Sequence, residues 1–182
     1  MTYKISVCEM TERHMDEGAM GFLDDAILDM FFREISNCYG VEMLLGWKDS
    51  YLLSCMEESG HVCGVFAVHI NHTVHGADCY VNIAYTREDF RKRGVFGALL
   101  DYTRKVLPDV VGIDYDTISF GVFDRNLTMG EVMRKSGCFP VAPIPDLEAT
   151  IYSFPRNASA VPRLHALAAT FTNGVDASRL SA

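Results

Sequence analysis

Arg91-Lys92-Arg93-Gly94-Val95-Phe96-Gly97 sets three cationic side chains and two glycines directly ahead of an apolar run with helical spacing. That arrangement suits anion binding. The first N–H groups of a helix have no intrahelical acceptor, and the helix dipole leaves the same end positive. Glycines let a ligand approach the backbone, and the arginines and lysine add full charges. A phosphate or pyrophosphate is the natural occupant. The stretch is not a P-loop, because G-x-x-x-x-G-K-[ST] is absent, and it is not a dinucleotide fingerprint, because G-x-G-x-x-G is absent. Taken alone, the same residues also read as a solvated basic patch.

The background charge sharpens the question. The 182 residues carry a net charge of −8, so the basic loop is a local exception. An acidic chain argues against nucleic acid as the main partner, since phosphate-backbone binding needs a broad basic surface. No apolar stretch approaches the length of a membrane span. The start, MTYKISVCEM, lacks the form of a signal peptide, so a cytoplasmic protein is expected. Cys8, Cys38, Cys55, Cys63, Cys79 and Cys138 are scattered, which suits reduced thiols rather than a disulfide framework. His69, His72 and His75 recur every third residue, with His61, Cys63 and Cys79 nearby. A strand-to-strand turn scatters such residues, and no paired-cysteine spacing supports them, so no metal is expected.

The elements that must position the loop follow from periodicity. Strands are expected at 3–8, 49–57, 61–70, 78–86, 117–123 and 147–154, with one further strand between the last two. In the 78–86 run Cys79, Val81, Ile83 and Tyr85 share one face, and Asp78, Tyr80, Asn82 and Ala84 the other, partly polar one. Helices are expected after a Thr11 N-cap, over 22–35, over 96–106 and over 127–137, the last closed by Gly137. In the 96–106 helix Phe96, Leu99, Thr103 and Val106 share a face, with Leu100 beside them. Trp47 is expected to pack a helix-to-sheet junction. Composition changes at Pro155. Residues 155–182 read as a loosely held tail, or as a short helix from Pro162 with Leu164, Leu167, Ala168 and Phe171 on one side.

On these motifs the chain resembles the GNAT superfamily of acyl-CoA-dependent N-acetyltransferases. Arg91 to Phe96 is similar to that family's [QR]-x-x-G-x-[GA], with Phe96 replacing the final small residue. Ala84 to Gly94 resembles its strand-then-basic-loop approach. Asn126 through Gly137-Cys138-Phe139 resembles its N-x-x-A-x-x-x-Y-x-x-x-G-F, and Met10 to Glu17 its first helix opening. The element order agrees over residues 3–154. The resemblance implies one α/β domain over 1–154, with a mixed, mostly antiparallel sheet flanked by helices, and acetyl-CoA as cosubstrate.

It also implies roles. The amides of Arg93, Gly94, Val95, Phe96 and Gly97 would cradle the CoA pyrophosphate. Arg91, Lys92 and Arg93 would add charge, and the backbone at Ala84 and Thr86 would pair with the pantetheine arm, near Asn126. The family's usual acid, a tyrosine, is Met133 here, and a frequent base position is Gly121. A thioether has no proton to give. Asp78 and Tyr80 are the substitutes on the polar strand face; otherwise Asp78 is a strand-end turn residue and Tyr80 a packing ring. Tyr152 is another donor candidate.

The acceptor would be an amine of a small molecule or a protein. Eight acids between Glu9 and Glu34, against Arg13 and Arg33, would favour a cationic amine if that segment borders the acceptor, or simply form a solvated helix face. The oligomeric state stays open. The alternative to an enzyme is a GNAT-fold binding or assembly module without chemistry.

Overall fold

The computed structural model describes residues 2–9, 50–73 and 76–179. The expected helices near Thr11 and over 22–35, Trp47, and the acid-rich segment beyond Glu9 lie outside the described residues. The described residues form seven strands: β1 (Lys4–Glu9), β2 (Ser50–Met56), β3 (Val62–Thr73), β4 (Gly76–Thr86), β5 (Thr117–Phe123), β6 (Phe139–Ile144) and β7 (Ala149–Pro155). They form one sheet in the order β1-β2-β3-β4-β5-β7-β6. The fold is α/β with a mixed sheet, and the β1–β2, β2–β3, β5–β7 and β6–β7 ladders are antiparallel. The chain divides into two compact units, Met1–Ile70 with Val81–Ile113, and Asn71–Tyr80 with Asp114–Ala182.

In the first unit β2 and β3 bury side chains of both parities, among them Leu52, Leu53, Val65 and Phe66. Their apolar runs are therefore nearly continuous rather than alternating. β4 keeps the alternation read from the sequence: Cys79, Val81 and Ile83 are buried and the residues between them half-buried. Helix α1 (Val95–Lys105) follows a short loop and buries Val95, Leu99, Leu100 and Thr103. Phe96 meets Phe66 of β3 edge-on, with ring centroids 5.3 Å apart. Val106 does not join that face. It is exposed and caps α1, and the five-residue helix α2 (Leu107–Val111) starts directly after it with Pro108 in its first turn.

In the second unit helix α3 (Leu127–Lys135) ends as a Schellman motif. Gly137 is left-handed at φ 84°, its N–H donates to the Arg134 carbonyl, and the Cys138 N–H donates to Met133. β6 contains Pro140 and Pro143 and has a register shift between Pro140 and Ala142. Proline is tolerated there because β6 is the last strand of the sheet.

The tail is not loose. Helix α4 (Val161–Arg179) starts one residue before Pro162 and lies on β6 and, more lightly, on β7. Leu164 is buried and the His165 ring stands 4.7 Å from Phe139, whereas Leu167 is exposed, so only part of the expected apolar stripe faces inward. Arg156 ties the chain leaving β7 to the chain entering β5. Its Nη1 donates to the Tyr115 carbonyl and to the Asp114 carboxylate, and its guanidinium lies over the Tyr115 ring.

Candidate active site

The basic loop is shaped by a few local bonds. After β4, the Arg87 N–H donates to the Cys63 carbonyl at 2.9 Å, and Glu88–Phe90 form one 3-10 turn whose Phe90 is buried. Lys92 adopts φ 62° and Gly94 φ 86°, so two left-handed residues flank Arg93. Lysine in that region carries a modest conformational cost that glycine does not. The first intrahelical bond of α1 runs from Ala98 N–H to the Gly94 carbonyl. The amides of Val95, Phe96 and Gly97 are therefore first-turn donors.

A Cβ added at Gly94 or Gly97 would meet no atom of the described residues within 4 Å, so both glycines are open on that side. Arg91, Lys92 and Arg93 are exposed around it. The Arg91 Nε donates to the Thr86 carbonyl at 3.4 Å, and the Arg93 guanidinium sits 5.4 Å from the Phe90 ring centre. This is an accessible, cationic helix start with room for an anionic group, and the residues present fit a pyrophosphate. Ala84 and Thr86, on the half-buried face and end of β4, lead into it.

Two residues that the motif reading passed over hold the loop. Gly64 lies under the start of α1, where an added Cβ would come 2.6 Å from the Tyr85 carbonyl and 2.8 Å from Val95 Cγ1. An isolated glycine inside an apolar strand run is the signal that could have found it. Gly64→Ala is expected to cost about 1–3 kcal/mol of stability by overpacking and to weaken CoA binding as α1 shifts. Thermal unfolding and calorimetric titration check both effects. Tyr3, at the other end of the sequence, donates its hydroxyl to the Arg93 carbonyl at 2.8 Å. No local signal marks such a partner 90 residues away.

The candidate proton-handling groups lie in the second unit. Asp78 Oδ1 accepts from Thr117 Oγ1 at 2.5 Å and from Ser119 Oγ at 2.8 Å, and Ser119 is 2.7 Å from Ser153 Oγ. Burial pushes the Asp78 carboxyl above its usual range despite those donors and the positive charge of Arg163. A carboxyl raised on folding binds its proton more readily in the native state. Its stabilising contribution is present below the ordinary value of 3.8 and falls as pH rises through the higher folded one. Asp78→Asn is accordingly expected to gain melting temperature over the wild type, with a larger gain at about pH 7 than at about pH 4.

Tyr80 is half-buried, and burial, then the Asp78 charge, raises its phenol above 10.0. Its hydroxyl lies against the Gly121 backbone, in the space where a Cβ at residue 121 would sit, 2.6 Å from that Cβ position. Met133 is fully buried within the unit. Asn126 is the N-cap of α3, its Oδ1 accepting from the Met129 N–H at 3.1 Å. Tyr152 is buried, and its hydroxyl accepts from Arg134 Nη1 at 3.4 Å.

Among the described residues the histidines do not converge, and His75 lies outside them. His69 is buried with Nδ1 2.8 Å from the Asn82 amide nitrogen, His72 is exposed, and His61 shares a turn with Glu57 and Ser59. Among the described residues no group of three His, Cys, Asp or Glu side chains is placed to hold a metal ion. Nor is any helix there long and apolar enough to cross a membrane.

No family model and no curated protein matches the sequence. Solved structures do match the fold. A protein described as an acyl-CoA N-acyltransferase from Klebsiella pneumoniae subsp. pneumoniae MGH 78578 superposes with a TM-score of 0.57 at 13% identity, over 85% of this chain and 98% of the other. An acyl-CoA N-acyltransferase from Pseudomonas aeruginosa gives a TM-score of 0.55 at 10% identity, over 84% and 99%. An acetyltransferase of the GNAT family from Staphylococcus aureus MU50 gives 0.50 at 12% identity, over 85% and 100%. The seven-stranded α/β sheet of this chain is thus the GNAT fold, reached with little shared sequence.

Proposed function

We propose that the protein is an acetyl-CoA-dependent N-acetyltransferase that acts on an amine of a small molecule or a protein. The observation that carries this reading is the open helix start at Gly94 and Gly97, ringed by Arg91, Lys92 and Arg93, within a GNAT fold. Similarity at this level speaks for fold rather than reaction, so the site's chemistry has to support the activity. The Arg93–Gly97 amides would hold the pyrophosphate, and the backbone of Ala84 and Thr86 would pair with the pantetheine arm.

In the reaction a neutral amine attacks the thioester carbonyl, the C–N bond forms, and the C–S bond breaks. The proton lost by nitrogen balances the one gained by the departing sulfur. Of the two substitute groups, Tyr80 handles the proton in this reading, because a phenol can donate and an ionised carboxylate only accepts. Its hydroxyl stands in the room left by Gly121. A phenol raised above its ordinary range stays protonated at neutral pH and serves as a hydrogen-bond donor to the developing thiolate. In this reading Asp78 is a positioning residue for that face of β4.

A second reading is favoured by the buried Met133 and by Gly121: a GNAT-fold binding or assembly module that has lost chemistry. Incubation with acetyl-CoA and a panel of polyamine, aminoglycoside and peptide amines, followed by thiol release, separates the two. Amine-dependent thiol release supports the enzyme. CoA binding without release from any amine favours the silent module.

A further inference from the structure

We propose that Tyr3 is a positioning residue for the acyl-CoA loop: by holding the Arg93 carbonyl, its hydroxyl aims the Gly94 N–H at the bound pyrophosphate. The inference rests on the function proposed above and adds a residue to its cofactor site.

In a trans peptide the carbonyl of one residue and the N–H of the next point in opposite directions. No cis peptide bond occurs among the described residues, so fixing the Arg93 C=O also fixes the Gly94 N–H, on the far side of the same plane. The Arg93 carbonyl accepts from Tyr3 Oη at 2.8 Å. That bond comes from the residue just ahead of β1, a strand paired residue by residue with β2, so the phenol is delivered from beside the sheet rather than from the loop itself.

The plane needs such an anchor. Lys92 and Gly94 on either side of Arg93 are both left-handed, and glycine at this φ is free to leave it. Among the described residues, the Arg93 N–H donates to the Phe90 carbonyl over a long 3.3 Å. On its Cβ side Gly94 meets no atom of the described residues within 4 Å, and the residue is exposed. Tyr3 is suited to the role at neutral pH, since burial raises its phenol above the ordinary range and keeps the donor proton in place.

Tyr3→Phe removes the hydroxyl and keeps the ring. Calorimetric titration of CoA into the full-length variant is expected to show a Kd about fivefold weaker, as for one lost hydrogen bond. Melting should change by no more than about 2 °C. In turnover the acetyl-CoA KM should rise by the same factor while kcat stays within about twofold, and the Gly94 amide resonance should move. Lys4→Ala, on the exposed side of β1 next to Tyr3, should leave Kd unchanged. The inference is overturned if Tyr3→Phe binds CoA as tightly as the wild type, or if Lys4→Ala weakens binding equally. Failure of the wild type itself to bind CoA would instead remove the function on which the inference rests.

Discussion

Arg91→Glu combined with Arg93→Glu is expected to abolish CoA binding, with a Kd at least about 100-fold weaker than the wild type and a melting temperature little changed. Hydrogen bonds to charged groups are each worth about 1.5–3 kcal/mol, and reversing both charges adds repulsion at the helix start. Stability should survive because both side chains are exposed. The ties they make are light, a 3.4 Å bond from Arg91 to the Thr86 carbonyl and the Arg93 stacking over Phe90. Calorimetry with CoA and a thermal melt check the two halves. Normal CoA binding by the double variant would remove the loop from the site.

Tyr80→Phe is the second large effect. If the phenol handles the proton, its loss lowers kcat by about 100-fold, within the usual contribution of a general acid or base, and leaves the acetyl-CoA KM unchanged. Gly121→Ala should reproduce part of that loss, because the new Cβ would lie 2.6 Å from the Tyr80 hydroxyl and swing the ring away. The double variant should then be no slower than Tyr80→Phe alone, since residues acting through one group are not additive. The pH profile carries an independent sign. A donor works while protonated, and the Tyr80 phenol lies above 10.0, so its activity is held through the neutral range and lost only as pH rises past that value. A kcat for Tyr80→Phe within about threefold of the wild type would return the ring to a packing role.

The sequence was most informative where one pattern dominates. The Thr117–Phe123 strand has the expected limits, and β4 shows the alternation of Cys79, Val81 and Ile83 against Asp78, Tyr80 and Asn82. Gly137 closes α3 through its left-handed φ, as a glycine after a helix should. Other elements carry conflicting local signals. Pro140 and Pro143 speak against a strand until the edge position of β6 is known. α2 has only five residues, too short for a periodicity to show. α4 reads as a weak amphipath, because Leu164 is buried while Leu167 faces water.

The candidate site divides the same way. The charges and glycines of the loop are contiguous and visible in the sequence. The supports that shape it are not. Gly64 is explained only by the Tyr85 carbonyl and Val95 above it, and Tyr3 only by a carbonyl 90 residues away. The pairing of Tyr80 with Gly121 likewise needed the register of neighbouring chain segments. From the sequence, Gly121 reads as a missing group rather than as room for another.

The central claim is that the loop before α1 binds an acyl-CoA. It is tested most directly by titrating acetyl-CoA and CoA into the purified protein in a calorimeter, with ATP and NAD as controls. The account predicts micromolar binding of both CoA species, roughly −8 kcal/mol, with ATP and NAD giving no heat. No binding at millimolar CoA would contradict it and leave a GNAT fold without its cosubstrate.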